Sequence, residues 1–118
     1  MKLPQHKSKR NQLINLIKQG KKRVKFTKER PHEWTPYKVR NPNGDIYFQE
    51  FTEIAAWELI VELLENGHPI EEKTLRKPPG AKGYEIKVKL EPNKPKLYIK
   101  LELGKMVFGR SFHYSDRN

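Results

Sequence analysis

Residues 84–115 read YEIKVKLEPNKPKLYIKLELGKMVFGRSFHYS, and apolar side chains recur at every second position: Ile86, Val88 and Leu90, then Leu97, Ile99, Leu101 and Leu103. A period of two marks strands that bury one face and expose the other. Three strands are expected: Tyr84 to Leu90, Leu97 to Leu103, and Met106 to about Ser115. Gly104-Lys105 suits a two-residue hairpin turn with Gly first. That turn pairs Leu103 with Met106, Leu101 with Phe108 and Leu97 with Phe112. The preceding hairpin, crossing at Glu91 to Lys96, pairs Leu90 with Leu97, Val88 with Ile99 and Ile86 with Leu101, so one face of all three strands reads as apolar.

Upstream the period changes to that of helices. Over residues 5 to 19 the stripe Leu13, Ile14, Leu16 and Ile17 ends at Gly20, while Lys7, Lys9, Arg10 and Lys18 occupy the rest of the surface. The clearest helix runs from Thr52, its N-cap, to about Asn66. Phe51 is placed for a hydrophobic staple, and Gly67 and Pro69 end the helix. Its core face is Ile54, Trp57, Ile60, Val61 and Leu64, and Glu58, Glu62 and Glu65 form an acidic back. Between the helices, Lys21 to Arg30 is basic with Val24 and Phe26 alternating, which fits a short edge strand or an ordered loop. Tyr37 to Arg40 and Asp45 to Phe48 flank Asn41-Pro42-Asn43-Gly44, the pattern of a small hairpin. This order predicts one α+β domain over residues 1–118, with two helices packed on one face of a three- to four-stranded antiparallel sheet.

With 118 residues the chain has room for a single modest core. It has no cysteine, hence no disulfide framework and no thiolate metal site. Met1 to Arg10 lacks the apolar run of a signal peptide, and no stretch is apolar enough to span a bilayer, so a cytoplasmic protein with no membrane role is expected. A toxin domain released from a larger secreted protein would lack these signals too. The net charge of +11 is unevenly placed: residues 1–40 hold 13 Lys or Arg against only Glu29 and Glu33, whereas the remaining 78 residues hold 12 basic and 12 acidic side chains. Such an excess suits a phosphate backbone or an acidic protein partner. Lys21, Lys22, Arg23, Lys25 and Lys28 are expected to hold that backbone.

The polar face of the three strands falls into rows in this register: Glu85, Glu102 and Val107; Lys87, Lys100 and Gly109; Lys89, Tyr98 and Ser111; Glu91, Lys96 and His113. Lys87 opposite Lys100 costs a few tenths of a kcal/mol by repulsion, which a bridging anion would remove. Alternating lysines most often mark a solvated sheet face. Here Tyr98, Ser111 and His113 interleave with them, and Gly109 opens space beside Lys100. Arg110 is the anomaly, because the simple register buries it opposite Ile99. A bulge at Gly109 would turn it outward, and would also swing Phe112 and Tyr114 out and Ser111 and His113 in.

The four histidines, His6, His32, His68 and His113, are scattered, with no H-x-x-x-H spacing and no phosphate-binding glycine motif; Pro78 to Gly83 reads as a turn. No metal and no cofactor are expected. Metal-free RNA cleavage needs only a group to take the ribose 2′-hydroxyl proton, one to protonate the leaving oxygen, and cations for the charged phosphorane. His113 suits either proton role, and Lys87, Lys100 and Arg110 suit the phosphate. Glu102 lies too far along the strands to be the partner of His113, so Tyr98, Tyr114 or a lysine is the better partner. DNA lacks the 2′-hydroxyl, which makes RNA the expected substrate. The catalytic candidates are therefore His113, Arg110, Tyr98, Lys100, Ser111 and Tyr114. The candidates for nucleic-acid binding are Lys21, Lys22, Arg23, Lys25, Lys87, Lys89 and Lys96. A non-catalytic RNA- or DNA-binding module, or a regulator that binds an acidic protein, is the alternative.

The helix, helix, antiparallel sheet order over residues 5–115, the size, the charge, and a terminal strand bearing Arg110, Ser111, His113 and Tyr114 together resemble the small basic bacterial ribonuclease toxins of the RelE and MqsR type, within the barnase, colicin and RelE-like assemblage. The resemblance implies a RelE-like fold and metal-independent endoribonuclease activity from basic residues and a Tyr or His on one sheet face. It also implies an acidic cognate antitoxin or immunity protein as partner. RelE itself opens with a strand, and this chain opens with a helix.

Overall fold

The computed structural model describes residues 5–24, 33–44, 49–76 and 79–115. Helix α1 spans Lys7–Lys18 and α2 spans Glu53–Glu65; the strands are β1, Lys22–Val24; β2, Glu71–Thr74; β3, Lys82–Val88; β4, Leu97–Leu103; and β5, Val107–Tyr114. They form one five-stranded sheet in the order β1-β5-β4-β3-β2. Strand β1 runs parallel to β5, and the remaining pairs are antiparallel. The fold class is α+β, with both helices contributing to the core on one face, but the sheet is mixed and five-stranded, not antiparallel with three or four strands. The two extra strands are both at edges. The Lys21–Arg30 stretch supplies β1, and the all-polar Glu-Glu-Lys-Thr of β2 carries no alternation to betray it.

Both helices stop where their glycines place them. Gly20 and Gly67 adopt φ of 79° and 74°, a region that penalises other residues, and the following amides, of Lys21 and His68, reach back to the carbonyls of Leu16 and Leu63. Thr52 Oγ1 accepts from the Ala55 amide at 3.0 Å and fixes the start of α2. The apolar stripe of α2 runs through Ala56, Trp57, Ile60 and Leu64. Ile54, expected in the core, sits on the flank of that stripe and is 71% exposed. Leu13 and Ile17 of α1 meet this stripe over Tyr84, Ile86, Leu97, Ile99, Leu101, Val107 and Phe112 of the sheet. Each aliphatic side chain buried there contributes about 1.5–3 kcal/mol.

Arg10 departs from its place on the solvent side of α1. It is 2% exposed, and its guanidinium donates to the carbonyls of Gln5 at 2.6 Å, Leu64 at 3.3 Å and His68 at 2.6 Å. A cation at the C-terminal, negative end of α2 is favourable, and its three acceptors offset the desolvation that lowers its pKa. His68, next in that chain of contacts, bonds the Lys87 carbonyl through Nε2 at 2.7 Å and so ties the end of α2 to β3.

The segment after β1 returns beside β5: Trp34 bridges Phe112 in parallel, and the Phe112 amide donates to the Glu33 carbonyl at 2.8 Å. The Trp34 ring packs 5.1 Å from that of Trp57 and 5.7 Å from that of Phe112, and its Nε1 donates to Glu53. Of the hairpin expected around Asn41–Gly44, Asp45 to Phe48 lie outside the described residues. Pro36–Lys38 forms a 3₁₀ turn, and an Arg40–Glu50 bridge closes the loop. No helix among the described residues is long and apolar enough to cross a membrane.

Candidate nucleic-acid interface

The register of β3, β4 and β5 decides which side chains share the face away from the described helices α1 and α2. The turn between β4 and β5 holds three residues, Gly104 to Met106, so Leu103 pairs with Val107 and not with Met106. That one-residue slip inverts the facing of the next residues: Phe108 stands opposite Glu102 on the polar face, and Gly109 opposite Leu101 on the helix face. A bulge at Arg110 then shifts the register, and pairing resumes at Lys100 with Ser111. The second offset cancels the first. Phe112 therefore lies in the core opposite Ile99, while Ser111 and His113 stay on the polar face. The β3–β4 hairpin slides by two, pairing Val88 with Leu97 and Ile86 with Ile99, which keeps every face but changes the rows. Lys100 faces Glu85 and Lys87 faces Tyr98, so the expected Lys87–Lys100 repulsion does not arise.

Three rows cross this face. One runs Lys73, Gly83, Glu102, Phe108 and Arg23; the next Glu71, Glu85, Lys100 and Ser111, with Glu33 beyond; the third Lys87, Tyr98 and His113. Between the first two, Lys73, Arg76, Lys100 and Arg110 line a groove of about 570 Å³ with Glu85, Thr74 and Leu75. Its cations differ in how firmly they are held. Arg110 donates to the buried Glu102 at 2.6 Å, Lys73 pairs with Glu71 at 2.9 Å, and Lys100 makes no ion pair with a described residue. A phosphate entering there meets convergent positive charge on a partly desolvated floor, where charge-assisted bonds are strong.

Around this groove the candidates divide. Tyr98 leans on the His113 ring, 5.5 Å between centroids, and its hydroxyl bonds Glu85. Burial and that carboxylate raise the Tyr98 pKa, so its proton is held and it is no base at neutral pH. His113 Nδ1 lies 2.8 Å from the Tyr114 carbonyl, which can only accept, so Nδ1 carries a proton. That Nε2 is buried without a partner among the described residues. Ser111 is fully buried and donates to Glu33 Oε2 at 2.9 Å. Tyr114 lies on the other face of the sheet, opposite Leu97, where its hydroxyl accepts from the Arg40 amide.

Gly109 does not open space beside Lys100, because it points to the core face under the Trp34 ring. Of the basic first third, Arg23 joins the polar face, 5.1 Å above the Phe108 ring; Lys22 lies on the helix side and reaches the Ile17 carbonyl; and Lys21 is exposed. Lys25 and Lys28 lie outside the described residues. Lys87, Lys89 and Lys96 are exposed on β3 and just beyond the ends of β3 and β4. The sequence pattern gives no sign of Lys73 and Arg76 as members of the site, and it puts Glu85 on the polar face without giving it a role. Glu33 alone had a signal, as one of two acidic residues in a basic stretch. No three His, Asp or Glu side chains gather into a metal site among the described residues. Comparison with protein-family models, with curated proteins and with solved structures finds no match.

Proposed function

We propose that this protein is a metal-independent endoribonuclease of the toxin–antitoxin kind, cleaving RNA by attack of the ribose 2′-hydroxyl. One observation carries the reading: Lys73, Arg76, Lys100 and Arg110 converge on a single groove, in the rows next to the Tyr98–His113 pair, on the sheet face away from the described helices α1 and α2. A scissile phosphate lies in that groove, where the cations stabilise the extra charge of the phosphorane. Phe108 under Arg23 offers a platform for a neighbouring base. The helix pair on one face and the basic groove on the other are consistent with the RelE-like arrangement, and the acidic partner such toxins require would find the same basic surface.

A non-catalytic RNA-binding module is the second reading, favoured by the burial of Ser111 and of His113 Nε2, two groups a cleavage site would be expected to expose. Growth of a bacterial host separates the two. Induction should arrest growth, and Lys100→Met, which removes a cation that has no ion pair with a described residue, should restore it while the protein still accumulates in soluble form. Unimpaired growth with abundant soluble wild-type protein favours the module.

A further inference from the structure

Resting on that reading, we infer that Glu33 is the general base of the cleavage and that Ser111 is the residue that positions it. Among the described residues, this face of the sheet holds few groups able to take the 2′-hydroxyl proton, and most are already committed. Glu102 is 5% exposed and bound to Arg110; Glu85 receives the Tyr98 hydroxyl; His113 Nε2 is shut away from solvent; and Tyr114 is on the wrong face. Glu33 is different. Its residue is exposed, its main chain is pinned by the Phe112 amide, and one carboxylate oxygen accepts from Ser111 while the other makes no hydrogen bond to a described residue. The serine explains itself in the same way. A hydroxyl fully buried in a central strand is costly unless bonded, and this one donates to an exposed carboxylate 78 residues away in sequence.

Lys100, paired with Ser111 across the strands, stands on the other side of that hydroxyl. In the cleavage step, Glu33 takes the proton of the 2′-hydroxyl as its oxygen bonds phosphorus. The bond from phosphorus to the 5′-oxygen breaks, its electron pair stays on that oxygen, and the Lys100 ammonium protonates it. The products are a 2′,3′-cyclic phosphate and a 5′-hydroxyl. Glu33 then returns its proton to water and Lys100 regains one, so no oxidant and no metal are consumed.

The test is the pH profile of kcat and kcat/KM on a short single-stranded RNA, in EDTA, for wild type, Glu33→Gln and Ser111→Ala. Among the described residues, Tyr98 on β4 interacts electrostatically with Glu33, and Lys100 on β4 and His113 on β5 lie across from and along from Ser111; all are retained in Glu33→Gln. That variant keeps an oxygen for Ser111 to bond and should melt as wild type does. Its kcat should fall about 10²- to 10⁴-fold, and the acid limb of its profile should vanish. Ser111→Ala should lower kcat about tenfold with KM unchanged and the acid limb kept, because an unpinned base is a misplaced one. Cleavage by Glu33→Gln with a wild-type rate and profile overturns the assignment alone. Failure of the wild type to cleave overturns the nuclease reading and this inference with it.

Discussion

Replacing Gly109 with alanine should lower the melting temperature by about 12 °C. A Cβ at this position falls 2.5, 2.6 and 2.8 Å from three carbon atoms of the Trp34 ring, closer than side chains tolerate. The ring has nowhere easy to go. It is braced by Trp57 and Phe112, and its Nε1 is tied to Glu53 at 3.0 Å. Overpacking of this kind costs about 3 kcal/mol at the upper end of its usual range. For a domain of this size each kcal/mol moves the midpoint by about 4 °C. Trp34→Phe, with its shorter ring, should recover part of the loss in the double variant. An unchanged melting curve for Gly109→Ala would show that Trp34 does not lie over the bulge, and the facing of Arg110, Ser111 and His113 would then need a different register.

The second large effect concerns affinity. Replacing Lys73, Arg76 and Lys100 together with alanine should weaken binding of single-stranded RNA about 100-fold at 0.1 M salt and flatten the dependence of log affinity on log salt by about two units, at about 0.7 per lost phosphate contact. The three line one groove, and only Lys73 among them has an ion pair with a described residue, so little folding energy is at stake. Lys21→Ala, Lys22→Ala and Arg23→Ala combined should do less. Lys22 lies on the helix side, and Arg23 alone of the three is placed beside the face, over Phe108. Binding titrations across a salt series settle both. Equal slopes for the groove variant and wild type would mean that the groove carries no phosphate.

How much of the fold and site the sequence disclosed depends on the range over which each feature is determined. The helix ends were legible because Thr52, Gly20 and Gly67 act within a turn of themselves. The three long strands were legible because alternation is local as well. Register was not, since it depends on whether a turn holds Gly104-Lys105 or runs on to Met106, and on a bulge that places Arg110 beside Glu102. The two offsets happen to cancel at Ser111, which is why Ser111 and His113 stay on the expected face although Phe108 and Gly109 exchange sides. Edge strand β2 was invisible because it buries almost nothing, and with it went Lys73 and Arg76. Glu33 reaches the site only through the Trp34–Phe112 bridge, and Arg10 becomes a core residue only because α2 ends against it. Neither contact leaves a trace in a pattern along the chain.

The central claim is that the face bearing the Lys73–Arg76–Lys100–Arg110 groove cuts RNA through the 2′-hydroxyl. Its most direct test is to incubate the purified protein in EDTA with a short RNA of mixed sequence, in parallel with the same sequence as DNA, and to identify the product ends by mass. The account predicts that the RNA is cut to fragments bearing 2′,3′-cyclic phosphate and 5′-hydroxyl ends and that the DNA survives. Intact RNA, or cleavage of both strands alike, would contradict it.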